Sequence, residues 1–119
     1  MLWTVDPAGS QALHEQIAAN VRRAIAEGTL APGERLPSAA ELAGVLQVNA
    51  NTVLAAYRRL RSENLLEFRR GRGVRVCRDA LMRASVSECA HKLLDVGRQH
   101  GYDARELAKL LITLDGEAP

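Results

Sequence analysis

The stretch of residues 36–76 constrains the fold more than any other part of the chain; it reads LPSAAELAGVLQVNANTVLAAYRRLRSENLLEFRRGRGVRV. Near its start, Ser38 and Glu41 have the spacing of a capping box, in which a hydroxyl and a carboxylate satisfy the free backbone amides of the first helical turn. An apolar face follows at Leu42, Val45 and Leu46, which recur at helical spacing. This pattern predicts a short helix.

A second, longer helix is predicted over residues 49–62, directly after a tight turn. Asn49 is a favoured N-cap residue. The inward stripe of this helix is predicted at Val53, Ala56, Tyr57 and Leu60. A short helix, a tight turn and a longer helix form the helix-turn-helix arrangement, in which the second helix lies in the DNA major groove.

The first turn of this second helix is expected to face base edges with Asn49, Ala50, Asn51 and Thr52. Asparagine can bind adenine through two hydrogen bonds, and threonine offers a hydroxyl or a methyl group. The helix N-terminus also directs free amides and a positive dipole end towards phosphate.

Two short strands around an arginine-glycine tip are predicted after this helix. Gly71 and Gly73 allow the positive φ values that a hairpin tip needs. Residues 58–78 hold eight arginines and two glutamates, a net charge of +6, whereas the whole chain carries +2. Positive charge is therefore concentrated where phosphate contact is expected. Residues 34–36 are predicted to add a third strand to the hairpin.

A first helix is predicted from residue 10 or 11 to residue 27, ended by Gly28. Its inward stripe is Leu13, Ile17, Val21, Ala24 and Ile25. Arg22 and Arg23 lie off this stripe. They are interpreted as a solvated face, with phosphate contact by one of them as the alternative.

The residues after the hairpin predict two further helices. The first covers residues 79–99, and its apolar seam is Met82, Val86, Cys89, Leu93 and Val96. The second follows Asp103, and its apolar side chains are Leu107, Leu110, Leu111 and Leu114. Two short helices do not close a core alone, so a symmetric homodimer is expected. The predicted domains are residues 1–78, a winged helix-turn-helix, and residues 79–119, a helical dimerisation region.

Composition excludes several classes of protein. The chain of 119 residues has no apolar run near the length of a membrane span and no secretory leader, so a cytoplasmic protein is expected. Two cysteines do not form a disulfide framework. The spacing of Cys89, His91 and His100 is not usual for a metal site. Since there is also no paired nucleophile and base, an enzyme, a metal protein and a cofactor are not predicted.

Three segments carry a family resemblance: LHEQIAANVRRAI, GTLAPGERLPSAAELA and NTVLAAYRRLRSENLLEFRRGRG. They resemble the DNA-binding domain of the GntR family of bacterial transcription regulators, and the short tail is similar to the YtrA-like subfamily. The resemblance implies a mainly α fold with a small β-sheet (α+β), and a homodimeric regulator that binds a palindromic operator. It also implies that the regulator is a repressor.

The chain departs from that family at Ala40, Ala50 and Leu54, where members usually carry arginines that contact the operator. Recognition of the operator bases is therefore expected to depend on Asn49, Asn51 and Thr52 of the second helix. Ala50 or Leu54 is expected to contact thymine methyl groups. The other residues predicted to bind DNA are Ser38, Arg58, Arg59, Arg69, Arg70, Gly71 and Arg72, with Arg61 beside them.

Two further readings stay open from the sequence. The loss of these arginines is also compatible with a winged-helix module that binds a protein partner, or that binds DNA without reading its sequence. A small-molecule effector at the dimer interface is a further open alternative, and no residue pattern identifies it.

Overall fold

The computed structural model describes residues 3–116; the outermost residues of both predicted domains lie outside this range. Five helices and two strands follow one another in these residues, and this order confirms the mainly α fold with a small sheet. The elements are α1 (Leu13–Ala26), α2 (Ala39–Leu46), α3 (Ala50–Ser62), β1 (Leu66–Arg69), β2 (Gly73–Val76), α4 (Ala80–Gln99) and α5 (Ala104–Gly116).

The chain forms two compact units, Met1–Glu88 and Cys89–Pro119. The boundary lies inside α4, ten residues after the one expected from the sequence. Its position has a physical reason, because Ala80 and Ala84 are fully buried in the core of the first unit. The first turns of α4 therefore belong structurally to the winged-helix unit.

Helices α1 and α3 supply half of the buried core residues of the first unit. The predicted stripe of α3 is completely buried, at Val53, Ala56, Tyr57 and Leu60. The stripe of α1 is buried at Ile17, Val21, Ala24 and Ile25, while Leu13 is half-buried. The helical periodicity therefore predicted the buried face of α3 correctly and most of that of α1, where Ala18 and Arg22 are also buried.

Helix α2 begins with the predicted capping box. The Glu41 backbone amide donates to Ser38 Oγ at 3.1 Å, and the Ser38 amide donates to Glu41 Oε1 at 3.3 Å. The prediction that Val45 shares the buried face is wrong, because this side chain is 76% exposed. A helix of eight residues that packs through Leu42 and Ala43 buries only a narrow face, and Val45 lies outside it.

Left-handed residues end both helices of the helix-turn-helix. Gln47 has φ 57° after α2, and Asn64 has φ 61° after α3. In each case the backbone amide of the next residue donates a hydrogen bond to a carbonyl in the last turn of the helix. Val48 N–H donates to Ala43 O, and Leu65 N–H donates to Leu60 O. These bonds satisfy terminal carbonyls that would otherwise lack partners.

Strands β1 and β2 form the predicted hairpin, with Leu66 opposite Val76 and Arg69 opposite Gly73. The predicted third strand is wrong in extent, since residues 34–36 form only an isolated bridge between Arg35 and Arg75. Leu36 N–H still donates to Val74 O at 2.9 Å. Ser38 is the next residue whose amide would face the hairpin, but this amide donates to Glu41 Oε1, so the extended segment stops after one bridge.

A buried ion pair joins α1 to the end of α3. Arg22 Nε and Nη2 donate to the two oxygens of Glu63 at 3.0 and 2.7 Å, and Arg22 is only 5% exposed. Glu63 also accepts from Ser87 Oγ on α4. The interpretation of Arg22 as part of a solvated face, or as a phosphate contact, is therefore wrong.

In the second unit, α4 and α5 approach closely at Gly97. A β-carbon at this position would lie 2.7 Å from Leu107 Cδ1, so only glycine fits without a shift. Helix α4 ends at Gln99, and the break that follows contains Gly101, which has φ 82°. Asp103 caps α5, since its Oδ1 accepts from the Glu106 amide at 2.8 Å. The predicted break and cap are therefore confirmed.

We predict that Glu63→Ala lowers the free energy of unfolding by about 3 kcal/mol, because it leaves a buried guanidinium without its partner. Glu67→Ala is the matched control, since Glu67 pairs with Arg69 on the surface and its loss costs about 1 kcal/mol or less. Urea unfolding at one protein concentration measures both. Equal losses in the two variants would contradict the importance of the buried pair.

Candidate nucleic-acid interface

The solvent face of α3 is defined by the direction opposite to its buried stripe. At 100° per residue, Asn51 and Arg58 point away from Val53 and Leu60. Both are exposed, as is Ala50, whereas Thr52 and Leu54 are half-buried on opposite flanks of the helix. Asn51 and Arg58 are therefore the predicted DNA-binding residues of α3 that are presented most directly.

Two of the predicted DNA-binding residues cap helices. Asn49 Oδ1 accepts from the Asn51 amide at 2.8 Å and so caps α3. Ser38 Oγ accepts from the Glu41 amide and so caps α2. Each keeps donor hydrogens for a ligand, namely the Asn49 side-chain amide and the Ser38 hydroxyl.

Arg59 lies on the flank of α3 that faces α1. Its guanidinium is 3.6 Å from Glu63 and 3.9 Å from Glu15. The side chain is half exposed, so these pairs are weak, but they orient the cation towards α1 rather than along the solvent face of α3.

Arg61 lies on the opposite flank and contacts the wing. Its guanidinium carbon is 4.6 Å from the ring centroid of Phe68 in β1. This distance is within the range of a cation–π contact, which leaves the edge of the guanidinium available for hydrogen bonds. The contact holds a basic residue of α3 beside the hairpin.

The tip of the wing consists of Arg70, Gly71 and Arg72, all of which are exposed. Gly71 and Gly73 have φ values of 77° and 72°, which confirms the glycine requirement of the tip. Arg69 at the end of β1 pairs with Glu67 at 3.2 Å. Arg75 is inward, with Nη1 donating to Gly33 O, so it adds little to the phosphate-facing charge.

A groove of about 320 Å³ lies between the start of α2, α3 and the wing. It brings together Ser38, Leu54, Arg69 and Arg70 of the predicted set. Beneath it, Tyr57 Oη donates to Pro37 O at 2.7 Å and ties α3 to the segment that leads into α2. Burial, followed by the charge of Glu41, raises the pKa of Tyr57, so this phenol remains a donor.

Sequence reasoning missed two residues of this region, Arg35 and Phe68. Arg35 is exposed and lines the groove beside Arg69 and Arg70, although it is distant from them in sequence. The predicted pairing of residues 34–36 with the wing was the one signal that could have placed Arg35 here. The contact between Phe68 and Arg61 could not be predicted from the spacing of apolar residues in the sequence.

The residues predicted to form a dimer interface are mostly on the surface of the chain. In the first unit, Met82 and Val86 are 80% and 71% exposed. In the second unit, Leu107 is buried and Leu93 is half-buried, while the exposed members are Cys89, Val96, Leu110, Leu111 and Leu114. Of the four leucines predicted on α5, Leu107 alone is buried within the chain.

Comparisons with known proteins identify the family. The family described as "Bacterial regulatory proteins, gntR family" matches residues 13–76, more than half of the chain. This chain belongs to the GntR family. It is therefore a DNA-binding transcription regulator with a winged helix-turn-helix, and the resemblance seen in the sequence is confirmed.

Two relatives match nearly the whole chain. The HTH-type transcriptional repressor YtrA of Bacillus subtilis is 33% identical over 89% of this chain and 84% of that protein. The HTH-type transcriptional regulator Rv1152 of Mycobacterium tuberculosis is 34% identical over 90% of this chain and 88% of that protein. Both are named as transcription regulators and neither as an enzyme.

A solved structure agrees in fold. YtrA from Sulfolobus acidocaldarius, a GntR-family transcription factor, has a TM-score of 0.62 and 30% identity, covering 80% of this chain and 99% of that chain. Within residues 3–116 of the present chain, no helix is long and apolar enough to cross a membrane.

We predict that Tyr57→Phe lowers the free energy of unfolding by about 1 kcal/mol at neutral pH, because the Pro37 carbonyl loses its donor. The raised pKa of Tyr57 adds a pH dependence. Above the ordinary tyrosine pKa of about 10, the unfolded chain releases a proton that the folded chain retains, so stability falls as pH rises.

Removing the phenol in Tyr57→Phe should flatten this alkaline loss, as measured by urea unfolding at a series of pH values from about 9 to 11. Tyr102→Phe is the matched control, since Tyr102 is exposed. An unchanged alkaline slope in Tyr57→Phe would contradict the raised pKa of the buried Tyr57 phenol.

Proposed function

We propose that this protein is a homodimeric transcriptional repressor that binds a two-fold symmetric operator. The observation that carries the proposal is the joint presentation of the α3 solvent face, with Asn51 and Arg58 exposed, and an exposed Arg-Gly-Arg wing in the same unit. Repression follows from occupation of a promoter and is supported by the name of the Bacillus relative.

Sequence reading is assigned to the first turn of α3. Asn51 offers both an acceptor and donors for the adenine edge, and its own backbone amide is already satisfied by Asn49. Ala50 and Leu54 offer apolar contact to thymine methyl groups, in place of the arginines that family members usually carry there. The protein is therefore expected to favour adenine and thymine at the operator positions that face Asn51, Ala50 and Leu54.

Affinity is assigned to phosphate contacts by Arg58, Arg61, Arg70 and Arg72. These four are exposed, and among the described residues none of them has a carboxylate within 4.0 Å. The Phe68 contact limits the motion of Arg61, which lowers the entropy lost when it binds phosphate.

Dimerisation is assigned to the exposed apolar side chains of α4 and α5. Leu110, Leu111, Ile112 and Leu114 are all 42% exposed or more, although α5 is only 13 residues long. Soluble monomers rarely expose apolar side chains in such density. In the proposed dimer, a second copy of the chain covers these residues. The proposed regulator acts in the cytoplasm and needs no cofactor.

We expect selection from a random duplex DNA library to enrich a two-fold symmetric motif with half-sites about one helical turn apart. Asn51→Ala, selected in parallel, should lose the preference at one base pair per half-site, at a cost of about 1–3 kcal/mol. An enriched motif without symmetry would contradict the dimer. Binding without any motif would instead favour a nonspecific DNA-binding module, and no binding would favour a protein-interaction module.

We predict that the double variant Arg70→Ala and Arg72→Ala weakens binding to all DNA sequences and reduces the salt slope by about two. The control Arg98→Ala and Arg105→Ala removes the same charge from exposed positions in the second unit. Titrations of fluorescent duplex DNA at several salt concentrations measure both slopes. The same loss in both variants would mean that net charge, rather than the wing, governs affinity.

A further inference from the structure

The groove between α2, α3 and the wing has the size of a small-molecule site. Its volume of about 320 Å³ falls at the lower end of the range for ligand pockets. It lies wholly within the first unit, and its walls come from three separate segments of the chain.

The floor and walls of this groove are largely apolar. Leu36 and Tyr57 are buried, whereas Leu54, Phe68 and Val74 are half-buried and line the open space. The Tyr57 hydroxyl is already bound to the Pro37 carbonyl, so it presents no free donor to the groove. An inorganic ion alone would therefore leave this apolar lining exposed to water.

The rim of the groove is cationic. Arg35, Arg69 and Arg70 all line it, and among the described residues only Arg69 forms an ion pair, with Glu67. The position that a β-carbon of Gly73 would occupy is 3.1 Å from Arg35 Nε, so the guanidinium lies directly against the wing backbone. An apolar body with one negative charge complements this combination of floor and rim.

We propose that this groove binds a small organic anion with a flat apolar body, such as an aromatic carboxylate. The ring system contacts Leu54, Phe68 and Val74, while the carboxylate binds Arg35 and Arg70. The site belongs to the DNA-binding unit, not to a separate effector domain.

Occupation of the groove opposes DNA binding, and this second step rests on the proposed function. Ser38, Leu54, Arg69 and Arg70 line the groove and also belong to the predicted DNA-binding set. A bound anion neutralises part of the rim and fills the space beside α3, so ligand and operator compete for the same side chains. Release from DNA then needs no signal from the dimerisation region.

The first test uses 2-naphthoate as the probe and the neutral 2-naphthamide as its matched control. Two-dimensional amide NMR of the full chain, without DNA, should show saturable shifts at Leu36, Leu54 and Val74 with naphthoate. Naphthamide should bind at least about tenfold more weakly, because it lacks the charge. Shifts confined to α5, or equal binding of both compounds, would overturn the proposal.

The second test fills the groove. Leu54→Trp should reduce naphthoate affinity by about tenfold or more. Val45→Trp adds the same ring at an exposed site outside the groove and should leave the affinity unchanged. Circular dichroism and thermal unfolding establish that both variants fold. Unchanged naphthoate binding in a folded Leu54→Trp variant would overturn the assignment.

Competition with DNA separates this inference from the proposed function. Saturating naphthoate should weaken operator binding by the wild-type chain, while naphthamide should not. If the protein binds naphthoate but does not bind DNA, the proposed function is wrong and the anion site is still supported. If the protein binds DNA but does not bind naphthoate, the anion site is wrong and the DNA-binding function is still supported.

Discussion

The bidentate pair between Arg22 and Glu63 fixes the position of the recognition helix. Glu63 follows the last turn of α3, and it receives hydrogen bonds from α1 and, through Ser87, from α4. Burying a charged pair costs desolvation energy, so its main effect is orientation: it favours the position of α3 in which the carboxylate meets all its donors. The solvent face of α3, and hence the side chains offered to DNA, depends on that position.

The other end of α3 is fixed by neutral hydrogen bonds. Asn49 caps the helix, and Tyr57 anchors its middle to the segment before α2 through the Pro37 carbonyl. These contacts use polar groups that a sequence reading assigns to DNA or to the core. Arg75 shows the same effect in the wing, since it donates to Gly33 O, so the local charge of +6 exceeds the charge that phosphate can meet.

Local patterns predicted the parts of the structure that local physics determines. The buried stripe of α3, the Ser38–Glu41 capping box and the glycine tip each follow from residues within one or two turns of one another. The Arg22–Glu63 pair joins residues 41 positions apart, and its burial depends on tertiary packing that periodicity does not contain. The left-handed Gln47 was missed for a different reason, because glutamine, unlike glycine or asparagine, is not a typical residue for this conformation at the end of a helix.

The placement of the groove bears on how a chain this short can respond to a ligand. Allosteric control needs an element with two states that both sites bias. In the described part of the second unit, Leu107 is the one large apolar side chain that is buried, so this unit encloses little space of its own. The proposed ligand site avoids that requirement, because its lining residues Leu54, Arg69 and Arg70 also belong to the proposed DNA-binding set. In this proposal Leu54 serves both as an apolar contact for DNA and as a wall of the ligand site.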